Sequence, residues 1–171
     1  MNTLWTPWRI DHVLGKAVKA AHCIFEPPGK DQHSKTDLLL YRDKHSVVLL
    51  NRFPYANGHL LVAPCRHLAC ITEMSSDENR YLMDTIQAAT GILSRHLHPD
   101  GFNIGCNLGS TAGAGIADHL HFHIVPRWNG DHNFITVIGD IRTIPEHIDS
   151  TFDKLLPDFL ELFLKQTPSI P

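Results

Sequence analysis

The sequence of 171 residues lacks several features that mark particular protein classes. No run approaches the roughly 18–20 apolar residues of a membrane-spanning helix, so we expect no membrane protein. Residues 1–9 contain Trp5, Pro7 and Trp8 instead of a basic start and an apolar run, so we expect no signal peptide. Cysteine is scarce, with four residues and no CxxC pair, which predicts reduced thiols in a cytoplasmic protein.

Positive charge is also not in excess. Fifteen Lys and Arg against eighteen Asp and Glu give a net charge of −3, which excludes a strongly cationic nucleic-acid-binding protein and predicts no general attraction to anionic membranes. Apolar residues make up 43% and charged residues 19%, enough for a core in one domain spanning 1–171. Histidine is abundant instead, with thirteen residues, and this predicts sensitivity to mild acid.

Three short apolar runs follow one another in the first half of the chain. They occupy 37–42, 46–51 and 59–63, and turn-forming residues bound each of them, so we predict three sequential antiparallel strands. Residues 1–21 are irregular and, with the Pro/Gly-rich loop 26–35, form an N-terminal arm and loop over 1–35.

The second half of the chain predicts two helices and further strands. Ser75 with Glu78 fits a capping box, and apolar residues recur at helical spacing as far as 98, so 75–98 is the first helix. Residues 102–107, 119–126 and 134–138 are predicted strands. Residues 148–165 have a helical pattern that Pro157 should split or kink. We therefore place the core at 36–128 and a C-terminal extension at 129–171.

Three histidines alternate with apolar residues in the predicted strand 119–126. On a strand, His119, His121 and His123 project to one face, which must be polar, and their apolar neighbours project to the other. Such a row can bind a metal, act in covalent catalysis or simply face solvent. The preceding loop holds Gly113 and Gly115, and glycine-rich main chain can close its N–H groups around an anion. The combination favours catalysis on a phosphate.

The sequence resembles the histidine triad (HIT) family at two motifs. His119-Leu120-His121-Phe122-His123-Ile124-Val125 matches the family signature of histidines alternating with apolar residues, and Asn51 followed by Gly58-His59-Leu60-Leu61-Val62-Ala63-Pro64 matches a second block. The Trp-rich start and the string around the triad look most like the diadenosine polyphosphate hydrolase and phosphorylase branch. The resemblance implies an α+β fold, with a long helix on a five-stranded antiparallel sheet and a C-terminal helical segment, in a homodimer.

The resemblance also implies nucleotidyl transfer or hydrolysis at the α-phosphate of a nucleotide. In that reaction His121 is the nucleophile and forms a nucleotidyl-histidine intermediate, His123 binds phosphate oxygens, and His119 sets the tautomer of His121. His59 matches a fourth family histidine beside this network. The implied substrate contacts are ribose at Asn51, phosphate at Asn107, and loop N–H groups near Gly113 and Gly115.

The chain departs from the family at two points. Gly115 and Ile116 stand where many members carry Gln and Ser or Thr, so the side-chain phosphate donors expected there are missing. Some members bind structural zinc through CxxC and histidines, but here Glu26 replaces the second cysteine, so we do not expect structural zinc. Cys23, Glu26 and His67 could form a weaker divalent-metal site with one more ligand. We expect no required cofactor. A nucleotide-binding signalling module with little turnover and a metalloprotein without nucleotide affinity are the alternative interpretations.

Overall fold

A five-stranded antiparallel sheet forms the centre of the fold. The structure is a computed structural model that describes residues 22–27, 31–131 and 144–166, the last four as backbone only. The strands lie in the order β1-β2-β3-β5-β4. Their bounds are β1 Leu39–Arg42, β2 Ser46–Leu50, β3 Leu60–Pro64, β4 Gly101–Cys106 and β5 Phe122–Arg127. This confirms the α+β prediction and the three sequential strands of the first half.

The first three strands are covered on both faces. Leu40, Val48 and Val62 pack in the main core with the helices, whereas the opposite face holds a second apolar cluster. We call this second group the Phe25 cluster; its members are Phe25, Leu39, Val47, Leu49, Leu61 and Ala63. Strands buried on both faces have nearly continuous apolar sequences. The sequence of β1 to β3 therefore shows apolar runs and no polar alternation.

Helix α1, Ser76–Leu97, covers the sheet and begins where the capping box predicts. Ser75 Oγ accepts the main-chain N–H of Glu78, and the Glu78 carboxylate accepts the main-chain N–H of Ser75 at 2.8 Å. Both bonds satisfy N–H groups that a helix start leaves without partners. The apolar face buries Leu82, Ile86, Ala89 and Leu93 in the main core, as predicted.

Helix α2, Ile148–Gln166, contains Pro157 and is nevertheless one continuous helix. The predicted split at this proline is therefore wrong, whereas the alternative of a kink stays a prediction. Phe152, Leu155 and Phe159 lie on the buried face and are each at most 2% exposed. Burying these large side chains contributes several kcal/mol in total, about 1.5–3 for each, which offsets the roughly 3 kcal/mol that an interior proline costs.

Gly58, in the loop between β2 and β3, has a backbone φ of 72°. A Cβ there would overlap Leu97 Cδ1 on α1 and contact Leu93 Cδ2 at 3.2 Å. We expect Gly58→Ala to lower the free energy of unfolding by about 2–4 kcal/mol, from left-handed backbone strain and overpacking.

Urea unfolding measures this change, and Gly101→Ala is the matched control. Gly101 has no heavy atom within 4 Å of an added Cβ, so its replacement should leave the unfolding midpoint near that of the wild type. Equal midpoints for Gly58→Ala and the wild type would show that the loop does not need this glycine.

Two predicted features lie outside the described residues. They are the irregular segment 1–21 and the strand 134–138. Among the helices in the described part of the chain, none combines the length and apolar character needed to cross a bilayer.

Candidate active site

The three histidines alternate as predicted, but β5 is shorter than the predicted strand. Leu120, Phe122 and Ile124 pack in or against the main core, and the imidazoles project to the other face. However, β5 begins at Phe122, so His119 and His121 precede it. Phe122 pairs with Cys106, the last residue of β4, so β4 provides no ladder partner for the residues before Phe122. The predicted strand start at 119 was wrong for this reason.

The histidine face is more apolar than the alternation predicted. His123 is directly opposite Leu61 of the Phe25 cluster, and cross-strand partners share a face. The Phe25 ring lies 5.0 Å from the rings of both His119 and His121, measured between centroids. His119 is fully buried and His121 is 4% exposed. The prediction of a polar face was therefore wrong, and main-chain atoms provide the polar contacts that buried imidazoles need.

His121 has one ring nitrogen bound to the main chain. Its Nδ1 lies 2.8 Å from the carbonyl oxygen of His119. A carbonyl only accepts, so in neutral His121 the proton is on Nδ1 and Nε2 carries a lone pair. The geometry therefore gives His121 the tautomer that a nitrogen nucleophile requires.

His119 is oriented in the same way by a different carbonyl. Its Nε2–H donates to the main-chain oxygen of Pro64 at 2.9 Å, which leaves Nδ1 to accept the Cys23 thiol at 3.2 Å. Burial is the largest cause of two pKa shifts here, lowering the pKa of His119 and raising that of Cys23. Both groups are therefore neutral near neutral pH.

His59 and His123 form a second histidine pair. His59 Nε2 lies 2.9 Å from His123 Nδ1, and His59 is fully buried. Burial, and to a lesser extent the neighbouring His121, lowers the pKa of His123 from 6.5 to about 4. The ring centroids of His121 and His123 are 5.0 Å apart, so His59 lies next to the triad through its contact with His123.

The glycine-rich loop directly precedes the triad in the chain, and phosphate binding by the N–H groups near Gly113 and Gly115 stays a prediction. Gly113 has a φ of 92°, and its N–H donates to Ser110 within the loop. Asn107 Nδ2 contacts the Gly113 carbonyl at 3.4 Å, so in this structure it holds the loop. Gly115 is exposed, and Ile116 packs against the Phe25 cluster. The loop thus reaches the histidine face from the end of β4.

A cavity of about 560 Å³ opens next to His123. Its lining includes Tyr55, Asn57, Asn103, Asn107, Arg127 and Trp128. Arg127 Nη1 donates to Asn103 at 2.7 Å and links β5 to the edge strand β4. Trp128 Nε1 donates to the Leu97 carbonyl at 3.3 Å and links the residue after β5 to the end of α1. Sequence reasoning missed Asn103 and Phe25. The two-residue period of β4 could have placed Asn103 with Asn107, but no local pattern marks Phe25.

The residues of the predicted weak metal site do come together. Cys23, His67 and His119 have donor atoms that all lie within 4.8 Å of one another. Glu26 Oε1 is 3.3 Å from His67 Nδ1, at the edge of this group. Sequence reasoning included Cys23, Glu26 and His67 but did not add His119, because its burial against them depends on the fold.

Residues 32–130 match the family model described as "HIT domain". The chain belongs to the HIT family. A relative named "AP-4-A phosphorylase" from Mycobacterium tuberculosis is 36% identical over 157 residues, which cover 88% of this chain and 80% of that protein. A relative named "Bis(5'-adenosyl)-triphosphatase" from Saccharomyces cerevisiae is 27% identical over 62% of this chain and 49% of its own length.

A solved structure also matches this HIT-family chain. A Zn-bound histidine triad family protein from Mycobacterium smegmatis superposes with a TM-score of 0.59 and 27% identity, covering 75% of this chain and 88% of its own. These similarities confirm both the family and the fold that the resemblance implied.

Proposed function

We propose that this HIT-family chain is a nucleotidyl hydrolase or transferase that cleaves dinucleoside polyphosphates at the α-phosphate. The observation that carries the proposal is the contact of His121 Nδ1 with the His119 carbonyl, because it leaves a lone pair on His121 Nε2. It is supported by the 36% identity to the protein named AP-4-A phosphorylase, over 88% of this chain. A neutral imidazole can attack a phosphorus whose oxygens are already negative when alignment and donors are provided.

The reaction has two displacements at the same phosphorus. First, the Nε2 lone pair of His121 forms a bond to the α-phosphorus, and the bond from phosphorus to the bridging oxygen breaks, so the second nucleotide leaves with that electron pair. Next, water or inorganic phosphate attacks the nucleotidyl-histidine, and the N–P bond breaks. The attacking oxygen loses its proton to solvent, and His121 returns to its starting tautomer. Two such steps replace one harder displacement.

The acceptor in the second step decides the products. Incubation with diadenosine tetraphosphate alone should yield AMP and ATP if water is the acceptor. With inorganic phosphate present, ADP and ATP should form if the chain is a phosphorylase. Chromatographic separation of the nucleotides measures both outcomes, and a burst of covalent nucleotidyl-enzyme should precede steady turnover. Tight nucleotide binding without product under either condition would instead support a signalling module.

We further propose that Cys23, His67 and His119 can bind a divalent cation of the zinc type, which the phosphoryl chemistry does not require. A thiolate and two imidazoles are a donor set that suits zinc, and the Nδ1 lone pair of His119 faces Cys23. A bound cation would tie the segment around Cys23 to the residues before β5. The hydrogen bond that fixes the His121 lone pair is to the main-chain carbonyl of His119 and not to the His119 ring, so this lone pair does not depend on the bound cation.

Metal analysis of the purified protein tests this second proposal. We expect zinc in the wild type, its loss in Cys23→Ser, and unchanged turnover after chelation. His33→Ala is the matched control, because His33 is exposed. If the wild-type protein takes up no zinc when zinc is supplied, the proposal of metal binding is wrong. If the chelator stops turnover, the reaction requires the metal, and that part of the proposal is wrong.

A homodimer is also a proposal here, supported by the edge strand β4. Asn103, Ile104 and Gly105 are exposed, and Ile104 is 46% exposed although it is a large apolar residue. An open strand edge offers unpaired main-chain groups to a second copy. Light scattering after size exclusion should give twice the chain mass, and Ile104→Lys should reduce it to one chain; a wild-type monomer would contradict the proposal.

We also propose a cytoplasmic location for the protein. All four cysteines are described and none forms a disulfide, which suits a reducing compartment. Fractionation of the source cells with a tagged chain tests this, and recovery outside the cytoplasm would overturn it.

A further inference from the structure

The loop between β2 and β3 lies over the second histidine pair. The main-chain N–H of Tyr55 donates to His59 Nδ1 at 3.0 Å. The Tyr55 ring centroid lies 4.6 Å from that of His59 and 5.8 Å from that of His123. At the start of the loop, Asn51 Nδ2 lies 3.2 Å from His59 Nδ1, and the ribose contact implied for Asn51 stays a prediction. The position of this loop therefore bears directly on the site.

Three residues of this loop line the cavity beside His123. We call them the loop wall; they are Tyr55, Ala56 and Asn57. Pro145, three residues before α2, lines the same cavity. The cavity extends along β5 from His123 to Arg127, which is roughly 13 Å at the rise of a strand. A nucleoside is of similar length, so the part of a nucleotide beyond its phosphate fits this space.

Glu146 connects the loop wall to the start of α2. Its Oε2 accepts the Asn57 Nδ2–H at 3.3 Å and the Thr151 hydroxyl at 2.9 Å. Its Oε1 accepts the Lys154 ammonium at 2.5 Å. The hydrogen bond from Lys154 is the largest cause that lowers the pKa of Glu146, so the carboxylate is ionised near neutral pH. One oxygen therefore holds the loop and α2 together, and the other binds the ammonium.

The ionised carboxylate decides the orientation of the Asn57 amide. A carboxylate only accepts hydrogen bonds, so the NH2 group of Asn57 must face Glu146. The amide oxygen of Asn57 then faces the Thr151 hydroxyl at 3.1 Å. Without an acceptor at the position of the Glu146 oxygen, the amide loses this orientation, and the loop wall loses this link to α2.

We propose that Glu146 is a positioning residue that acts through Asn57 to hold the loop wall in place for the nucleotide. This rests on the proposed function for the identity of the ligand, while the link itself rests on the hydrogen bonds to Glu146. A wall that is ordered before binding lowers the conformational cost of binding. The effect falls on binding and not on the attack at phosphorus, because the hydrogen bond from Tyr55 to His59 does not involve Glu146.

Two substitutions of Glu146 separate the reach of the side chain from its charge. Glu146→Asp keeps the charge for Lys154 but is one methylene shorter, so the acceptor withdraws from Asn57. Glu146→Gln loses the charge but keeps an oxygen for Asn57, and the Lys154 side chain, 40% exposed, can turn to solvent. With diadenosine tetraphosphate, we expect KM to rise about 10-fold in Glu146→Asp with kcat nearly unchanged. Both constants should stay near those of the wild type in Glu146→Gln.

Three results would overturn the proposal. They are an impaired Glu146→Gln beside a normal Glu146→Asp, an unchanged KM in both variants, and a loss confined to kcat. The first would show that the ion pair with Lys154 is what matters. Urea unfolding of each variant identifies a purely structural role, in which the midpoint falls but KM does not change. Glu161→Asp is the matched control, because Glu161 is exposed on α2, and it should keep both constants.

An exchange of the two partners tests the link from the loop side, and it does not depend on the folding of Glu146→Asp. Asn57→Asp alone places one carboxylate against another, so KM should rise. Adding Glu146→Gln to Asn57→Asp should lower KM again, because the glutamine NH2 donates to the new carboxylate and its oxygen accepts from Lys154. A double variant with the KM of Asn57→Asp would mean that the two side chains are not coupled in binding.

Calorimetry in the His121→Ala background measures binding of diadenosine tetraphosphate without turnover. Adding Glu146→Asp should raise Kd about 10-fold. If the wild-type chain binds the dinucleotide without cleaving it and Kd still rises, the role of Glu146 stands and only the proposed function is refuted. If Kd does not change while the wild type cleaves the dinucleotide, only the role of Glu146 is refuted. A wild type that binds no dinucleotide would overturn both.

Discussion

His121→Ala should abolish turnover, with a loss of at least about 1,000-fold in kcat and nucleotide binding still measurable. Within the triad, only His121 has its Nδ1 bound to a main-chain carbonyl, which leaves a lone pair on Nε2, and the alanine removes this nitrogen. His119 cannot replace it, because its Nε2 donates to the Pro64 carbonyl. His123 differs as well, because its Nδ1 is bound to His59. The other side chains predicted to bind nucleotide are unchanged in this variant. Turnover is measured by product separation and binding by calorimetry.

The exposed His33 provides the control for this experiment. His33→Ala should keep wild-type rates. Phosphorus NMR or intact-mass measurement after rapid mixing should detect the nucleotidyl adduct in the wild type and in His33→Ala, and not in His121→Ala. A His121→Ala protein with near-normal rates or with the adduct would show that another group attacks phosphorus.

Acid should destabilise the fold well before the carboxylates titrate. His123 has a pKa lowered from 6.5 to about 4 by burial, so between these values the unfolded chain binds a proton that the folded protein does not. Stability from this group is complete above pH 6.5 and is lost as the pH falls towards about 4. The free energy of unfolding should fall by roughly 2 kcal/mol. This is less than the whole pKa shift of His123 would give, because the ring keeps some contact with solvent. Urea unfolding between pH 7 and pH 4 measures it.

His123→Asn removes this titration while keeping a polar side chain. The variant should lose stability less steeply between pH 7 and pH 4 than the wild type, with a remaining slope from His119, whose pKa burial also lowers. His33→Asn should keep the wild-type slope. A His123→Asn protein with an unchanged slope would mean that His123 does not remain neutral in the folded protein.

Local patterns predicted the elements that depend on neighbouring residues in the chain. The Ser75–Glu78 capping box marked the start of α1, and its helical spacing identified Leu82, Ile86, Ala89 and Leu93 as the buried face. Short apolar runs marked the first three strands within two residues at each end. These features could be predicted because caps and side-chain periodicity arise within a few residues.

Predictions that depended on distant neighbours were less accurate. The start of β5 was placed three residues too early, because the end of β4 decides where the ladder stops. Pro157 was expected to split or kink the last helix, and packing against the core keeps that helix continuous. The histidine face was expected to be polar, whereas Phe25 from a distant loop covers it.

The sequence alone determined the family, the strand and helix types, and the presence of three imidazoles on one face, because alternation and short motifs are encoded in adjacent residues. Only the tertiary structure decided which nitrogen of each imidazole holds the proton. His119 meets Pro64 from 55 residues away and His123 meets His59 from 64 residues away. A proton moves to whichever nitrogen faces an acceptor, and folding sets which groups those are.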